Sequence, residues 1–100
     1  MITEHALLRI RSGDELAFEA AMAEARPLIA ASPGFVSIEV RPAIEIAGTY
    51  LLLVRWLSVS DHRDGFRTSD RYQAWRDLLH CFYEPMPEVT YVGEIGRAHV

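Results

Sequence analysis

The chain has no lysine, no asparagine, only one cysteine (Cys81) and no long apolar run. Each absence removes a class of protein. A single cysteine excludes an intrachain disulfide and a cysteine-based zinc cluster. No stretch approaches the roughly 18–20 apolar residues that cross a bilayer, so no membrane partner is expected. The N-terminus places acidic Glu4 in a strand-like alternation, not in a basic-then-apolar signal segment, and a cytoplasmic location follows as the expectation. With lysine absent, all ten basic residues are arginine, interleaved with acids at a net charge of -4. No basic patch forms, so nucleic acid is not an expected partner. The four histidines lie scattered without ligand spacing, and no metal site is expected from them.

What is present suits one globular, soluble domain: 100 residues, 50% apolar and 24% charged. Residues 2–11 alternate as a strand, with Ile2, Glu4, Ala6, Leu8 and Ile10 on one face. Ser12 and Glu15 fit a capping box for a helix whose stripe is Phe18, Ala21, Met22, Ala25, Leu28 and Ile29. Pro27 should kink or break that helix, and Ser32-Pro33-Gly34 ends it. A second strand runs over 35–41, with Val36, Ile38 and Val40 opposite Phe35, Ser37 and Glu39. A third, Tyr50–Leu57, reads as the central strand. Ser58 caps a short helix through about Phe66. Thr68 or Ser69 caps the next, striped by Tyr72, Trp75, Leu79 and Phe82 and stopped by Pro85 and Pro87. A last strand covers 89–95, and 96–100 reads as a short tail to a single domain of 1–95.

This order is that of an α+β, ferredoxin-like split βαβ fold, with an antiparallel four-stranded sheet and helices on one face. The third strand, YLLLVRWL, is apolar on both faces except at Arg55. Such a strand needs cover on both sides, yet the chain has helices enough for one. Whichever set faces outward, a large apolar patch results. A homodimer with sheets face to face is the expectation.

The elements PGF (33–35), YLLLVRW (50–56), DH (61–62), GFRTS (65–69) and YQAW (72–75), with a late P-x-V (87–89), together resemble the antibiotic biosynthesis monooxygenase family over about 2–95. The resemblance implies a dimeric α/β barrel built from two ferredoxin-like protomers. Members of the family oxygenate aromatic or quinol compounds without metal or flavin; others degrade haem, and many have no demonstrated activity. The haem-degrading branch uses an Asn, a Trp and a His where this chain has His5, Phe66 and Arg76; only His80, four residues past Arg76, could approach iron from nearly the same face. The quinol-oxidising members use pocket Asn residues among other groups, and this chain has none.

Oxygenation without a cofactor needs a base, donors that hold the substrate anion, and a dry aromatic pocket. His62 is the expected base, since an imidazole titrates near neutrality; its bland alternative is a histidine that pins its helix. Tyr72 joins it as a catalytic candidate with a phenol to place. Trp56, Phe66 and Trp75, with Phe82, are wall candidates, each equally at home in an ordinary core. Arg55 interrupts an apolar strand, so it either pairs with Glu39 or Glu4 or holds an anionic substrate. His80 is a further substrate contact or a satisfied boundary histidine. Arg67 and Arg76 are expected in solvent or paired to Asp70 and Asp77. The expected activity is cofactor-independent monooxygenation of a small aromatic hydroquinone or anthrone-like molecule. The competing reading is a non-catalytic dimer that binds a small apolar ligand.

Overall fold

The computed structural model describes residues 1–95; the tail expected at 96–100 lies outside the described residues. The elements are β1 (Ile2–Arg9), α1 (Glu15–Ala30), β2 (Phe35–Pro42), β3 (Thr49–Trp56), a π-helical turn (Asp61–Gly65) running into a 3-10 turn (Phe66–Thr68), α2 (Asp70–Leu79), a second 3-10 turn (His80–Phe82) and β4 (Thr90–Val92). The sheet order is β2-β3-β1-β4 with every pair antiparallel. This is the ferredoxin-like arrangement, and β3 is central as expected.

Period-two alternation decides which side chains meet the helices. Glu4, Ala6 and Leu8 of β1 and Tyr50, Leu52, Val54 and Trp56 of β3 are buried. The apolar ones pack on Phe18, Met22, Ala25 and Ile29 of α1 and on Trp75 and Leu79 of α2. The other set of β3 is left on the outer face: Leu51 and Leu53 are half-buried and Arg55 is exposed.

Three local expectations are corrected. The capping box does not form: α1 begins after Asp14, which caps it without a side-chain bond. A tight turn (Asp14 N–H to Arg11 C=O, 3.0 Å) takes Ser12 out of register, and Glu15 Oε1 instead accepts from the Gly13 N–H at 2.7 Å. Pro27 does not break α1, which runs through it from Glu15 to Ala30; the Ala31 N–H still reaches the Pro27 carbonyl at 3.2 Å. The bond that proline removes would have used the carbonyl of Ala23, and both residues are on the solvent side, where water can take over. In β2 the register shifts between Phe35 and Ser37. Val36 is the extra residue of a bulge, so Phe35 joins the inner face and meets the Trp56 ring edge-on at 5.9 Å.

The end of β3 and the start of α2 carry the elements that matter for function. Ser58 Oγ accepts from the Asp61 N–H (3.1 Å) and donates to Asp61 Oδ2 (2.9 Å), anchoring the π-turn. The Ser69 side chain accepts from the Tyr72 N–H, as expected for the cap of α2. Among the described residues no helix is long and apolar enough to cross a membrane.

Candidate active site

Between the inner face of the sheet and α2 lies a cavity of about 270 Å³. Its wall includes Glu4 and Leu8 from β1, Leu52 from β3, His62, Phe66 and Arg67 from the turns, Tyr72 and Trp75 from α2, and His80, Tyr83 and Met86 beyond it. Arg67 and Met86 are exposed and sit at its rim.

The fold thus brings together His62, Phe66, Tyr72, Trp75 and His80 from the expected set. Phe66 is the hub, with ring centroids 5.9 Å from Trp56, 6.3 Å from His62, 5.5 Å from Tyr72 and 5.9 Å from Trp75. Trp56 stands behind the wall, fully buried. His80 meets Tyr72 and Tyr83 at 6.2 and 5.5 Å. Phe82 turns away to pack against Phe18.

Arg55 lies elsewhere. Its backbone pairs with Thr3 and Ser37, and its side chain is exposed on the outer face of the sheet, opposite the face that holds Glu4. Neither expected partner reaches it: Glu4 is on the inside, and Glu39 pairs with Arg41 at 2.8 Å. The arginine at the cavity is Arg67, whose guanidinium lies 5.7 Å from the Tyr72 ring centroid, within reach of a cation–π contact.

Sequence reasoning missed Glu4 as a site residue. It is 5% exposed, and its Oε1 accepts the Trp56 indole N–H at 3.0 Å. The same oxygen lies 3.3 Å from His62 Nε2. His62, 4% exposed, has its other ring nitrogen, Nδ1, 2.6 Å from the Tyr91 hydroxyl. A line of exchangeable protons therefore runs Glu4–His62–Tyr91. Burial pushes the Glu4 carboxyl from an ordinary 4.5 up to about 7, opposed by the Trp56 hydrogen bond and by Arg67. Burial pulls His62 from 6.5 down to about 4, helped by Arg67. Both charged forms lose their hydration there, and the neutral forms are favoured. His80 is lowered too, by burial first and then by Arg76 and Arg67. Burial raises Tyr83, and nearby Glu4 adds to it. The signal for Glu4 was its place in the apolar row Ile2, Ala6, Leu8, Ile10: a carboxylate there must be paired or neutral.

Among the described residues no three His, Cys, Asp or Glu side chains converge as metal ligands. The arrangement can seat a planar aromatic molecule against Phe66, Tyr72 and Trp75, and accept or return a proton close to neutral pH.

A α+β sandwich of this topology with a helix-side aromatic pocket defines a class, and sequence comparison supplies the family. The model of the antibiotic biosynthesis monooxygenase family matches residues 1–78, and the chain belongs to that family. YczJ of Bacillus subtilis strain 168 is 40% identical over 95 residues, covering 95% of this chain and all of the relative. A solved family protein from Bordetella bronchiseptica is 33% identical with a TM-score of 0.90, covering 94% of this chain and 96% of its own. SnoaB of Streptomyces nogalater, a cofactor-independent oxygenase, superposes with a TM-score of 0.83 over 96% of this chain and 94% of its own. At 16% identity that likeness is one of fold.

Proposed function

We propose that this chain is a cofactor-independent monooxygenase for a small aromatic hydroquinone or anthrone-like molecule. One observation carries the reading: a cavity of about 270 Å³ walled by Phe66, Tyr72 and Trp75 has the buried Glu4–His62 pair in its side. The substrate's acidic O–H or C–H gives up its proton to that pair, and its electron pair stays on the ring. The anion passes an electron to dioxygen, and the two radicals join through a new C–O bond. One oxygen atom remains in the product and the other leaves as water. Tyr72 and Arg67 orient the anion, with His80 beside them. Phe66 and Trp75 hold the ring plane, backed by Trp56. Arg55 takes no part, because the sheet separates it from the cavity.

Oxygen uptake by the purified protein with anthrone and with reduced naphthoquinone, no flavin or metal added, tests this. Saturable uptake above autoxidation is the expected result. Uptake equal to background with both compounds would leave a ligand-binding dimer as the better reading.

The working unit in this proposal is a homodimer joined through the outer faces of the two sheets. Leu7 is 47%, Leu57 61% and Val92 44% exposed on that side of the chain, beside half-buried Leu51 and Leu53. A monomer's mass in sedimentation equilibrium at micromolar concentration would refute it.

A further inference from the structure

His62 cannot easily be the group that meets the substrate. Its Nδ1 is hydrogen-bonded with the Tyr91 hydroxyl at 2.6 Å, and its Nε2 faces Glu4 Oε1 at 3.3 Å. Glu4 is engaged differently. Its contacts with Trp56 and His62 both fall on Oε1; among the described residues no hydrogen bond falls on Oε2. The residue lines the cavity.

We infer that Glu4, through Oε2, is the base that takes the substrate's proton, with His62 as a positioning residue that holds the carboxylate and Tyr91 fixing the imidazole from β4. The inference rests on the oxygenase reading and names the group within it. The substrate O–H or C–H bond breaks, the proton moves to Oε2, and Glu4 becomes a neutral acid. After dioxygen has added, the same proton returns to the peroxide oxygen. The hydroperoxide then loses water, and Glu4 is again a carboxylate.

The surroundings suit that cycle. Trp56 from β3 donates to the carboxylate, and Arg67 in the 3-10 turn favours its charge. His62 reaches it from the π-turn, and Tyr91 approaches from β4. Tyr83, past α2, is held in its protonated form partly by Glu4 itself; Tyr72 and His80 share the wall. Burial against these few donors leaves the carboxyl at about 7, where a group both accepts and returns a proton readily.

The experiment compares kcat/KM against pH for the full chain, Glu4→Gln and His62→Gln, with anthrone as substrate. The wild type should rise with an apparent pKa near 7. Glu4→Gln should lose roughly 10²- to 10⁴-fold and the pH-dependent rise with it. His62→Gln should keep the rise, with a moved midpoint. If Glu4→Gln keeps the rise and His62→Gln abolishes it, the base is His62 and the inference is wrong. Should the wild type show no turnover, the oxygenase reading fails by itself, and side-chain carboxyl ¹³C NMR decides the role of Glu4. One glutamate resonance should titrate near 7, vanish in Glu4→Gln and shift when 1,4-dihydroxynaphthalene is added without oxygen. A Glu4 resonance that ignores this probe overturns the inference.

Discussion

Each face of the sheet carries a charged residue in an otherwise apolar row, and the two behave in opposite ways. Glu4 on the helix side is buried against Trp56 and His62 and drawn toward its neutral form. Arg55 on the outer side is exposed. A charge in an apolar strand therefore says little until its face is known. Inside, where hydration is lost, the group is forced to pair or change protonation, and chemistry becomes available. Outside, water meets the same need in the single chain, and in the proposed dimer a group of the facing sheet would have to.

The largest expected effect on this contrast comes from Trp56→Ala. It removes a fully buried indole and the donor to Glu4. A loss of about 3–5 kcal/mol in chemical denaturation is expected, and Arg55→Ala measured alongside should cost less.

Next comes pH dependence. Glu4 titrates at about 7 folded and near 4.5 unfolded. The unfolded chain thus loses this proton first, and the Glu4 contribution to stability falls as pH rises from 4.5 to 7. His62 titrates at about 4 folded and near 6.5 unfolded. The unfolded chain gains that proton first, so the His62 contribution falls as pH drops from 6.5 to 4. Each swing is worth roughly 3 kcal/mol, and the two oppose each other across most of the window. The wild type should show little net slope from this pair between pH 4.5 and 6.5. Glu4→Gln should uncover stability that rises with pH there, and His62→Phe stability that falls. Urea melts at five pH values would show it, and parallel curves for all three proteins would contradict it.

A smaller effect separates the two arginines. Arg67→Gln should raise KM for an aromatic substrate by roughly two- to fivefold, as fits an exposed charge at a rim. Arg55→Gln should leave kcat and KM alone in the intact dimer. Equal effects from the two would erase the distinction between the faces.

Much of the fold was legible because alternation and helical stripes are local. Tyr50, Leu52, Val54 and Trp56 form one alternating set, Ser69 stands ready as a cap, and the element order admits few topologies. The site was legible in part. Phe66, Tyr72, Trp75 and His80 lie on a segment whose own periodicity turns them one way. The bulge at Val36 was not, since it exists only in the pairing of β2 with β3. Nor was the line Glu4–His62–Tyr91, a 3.3 Å contact followed by a hydrogen bond, whose members come from β1, the π-turn and β4 and meet only through tertiary packing. Arg55 drew attention because its strand is apolar on both faces, while Glu4, in a strand whose other face carries Thr3, His5 and Arg9, did not.

Gly34 has positive φ (+83°), and a Cβ there would collide with the side chain of Asp61. Its carbonyl also accepts from the Leu57 N–H at 2.8 Å. Asp61 opens the turn that presents His62. A residue with no functional group thus leaves the room in which the Asp61 side chain, one residue before His62, packs. Any side chain at 34 would have to displace Asp61 and, with it, the start of the turn that carries His62, with no change in the composition of the site.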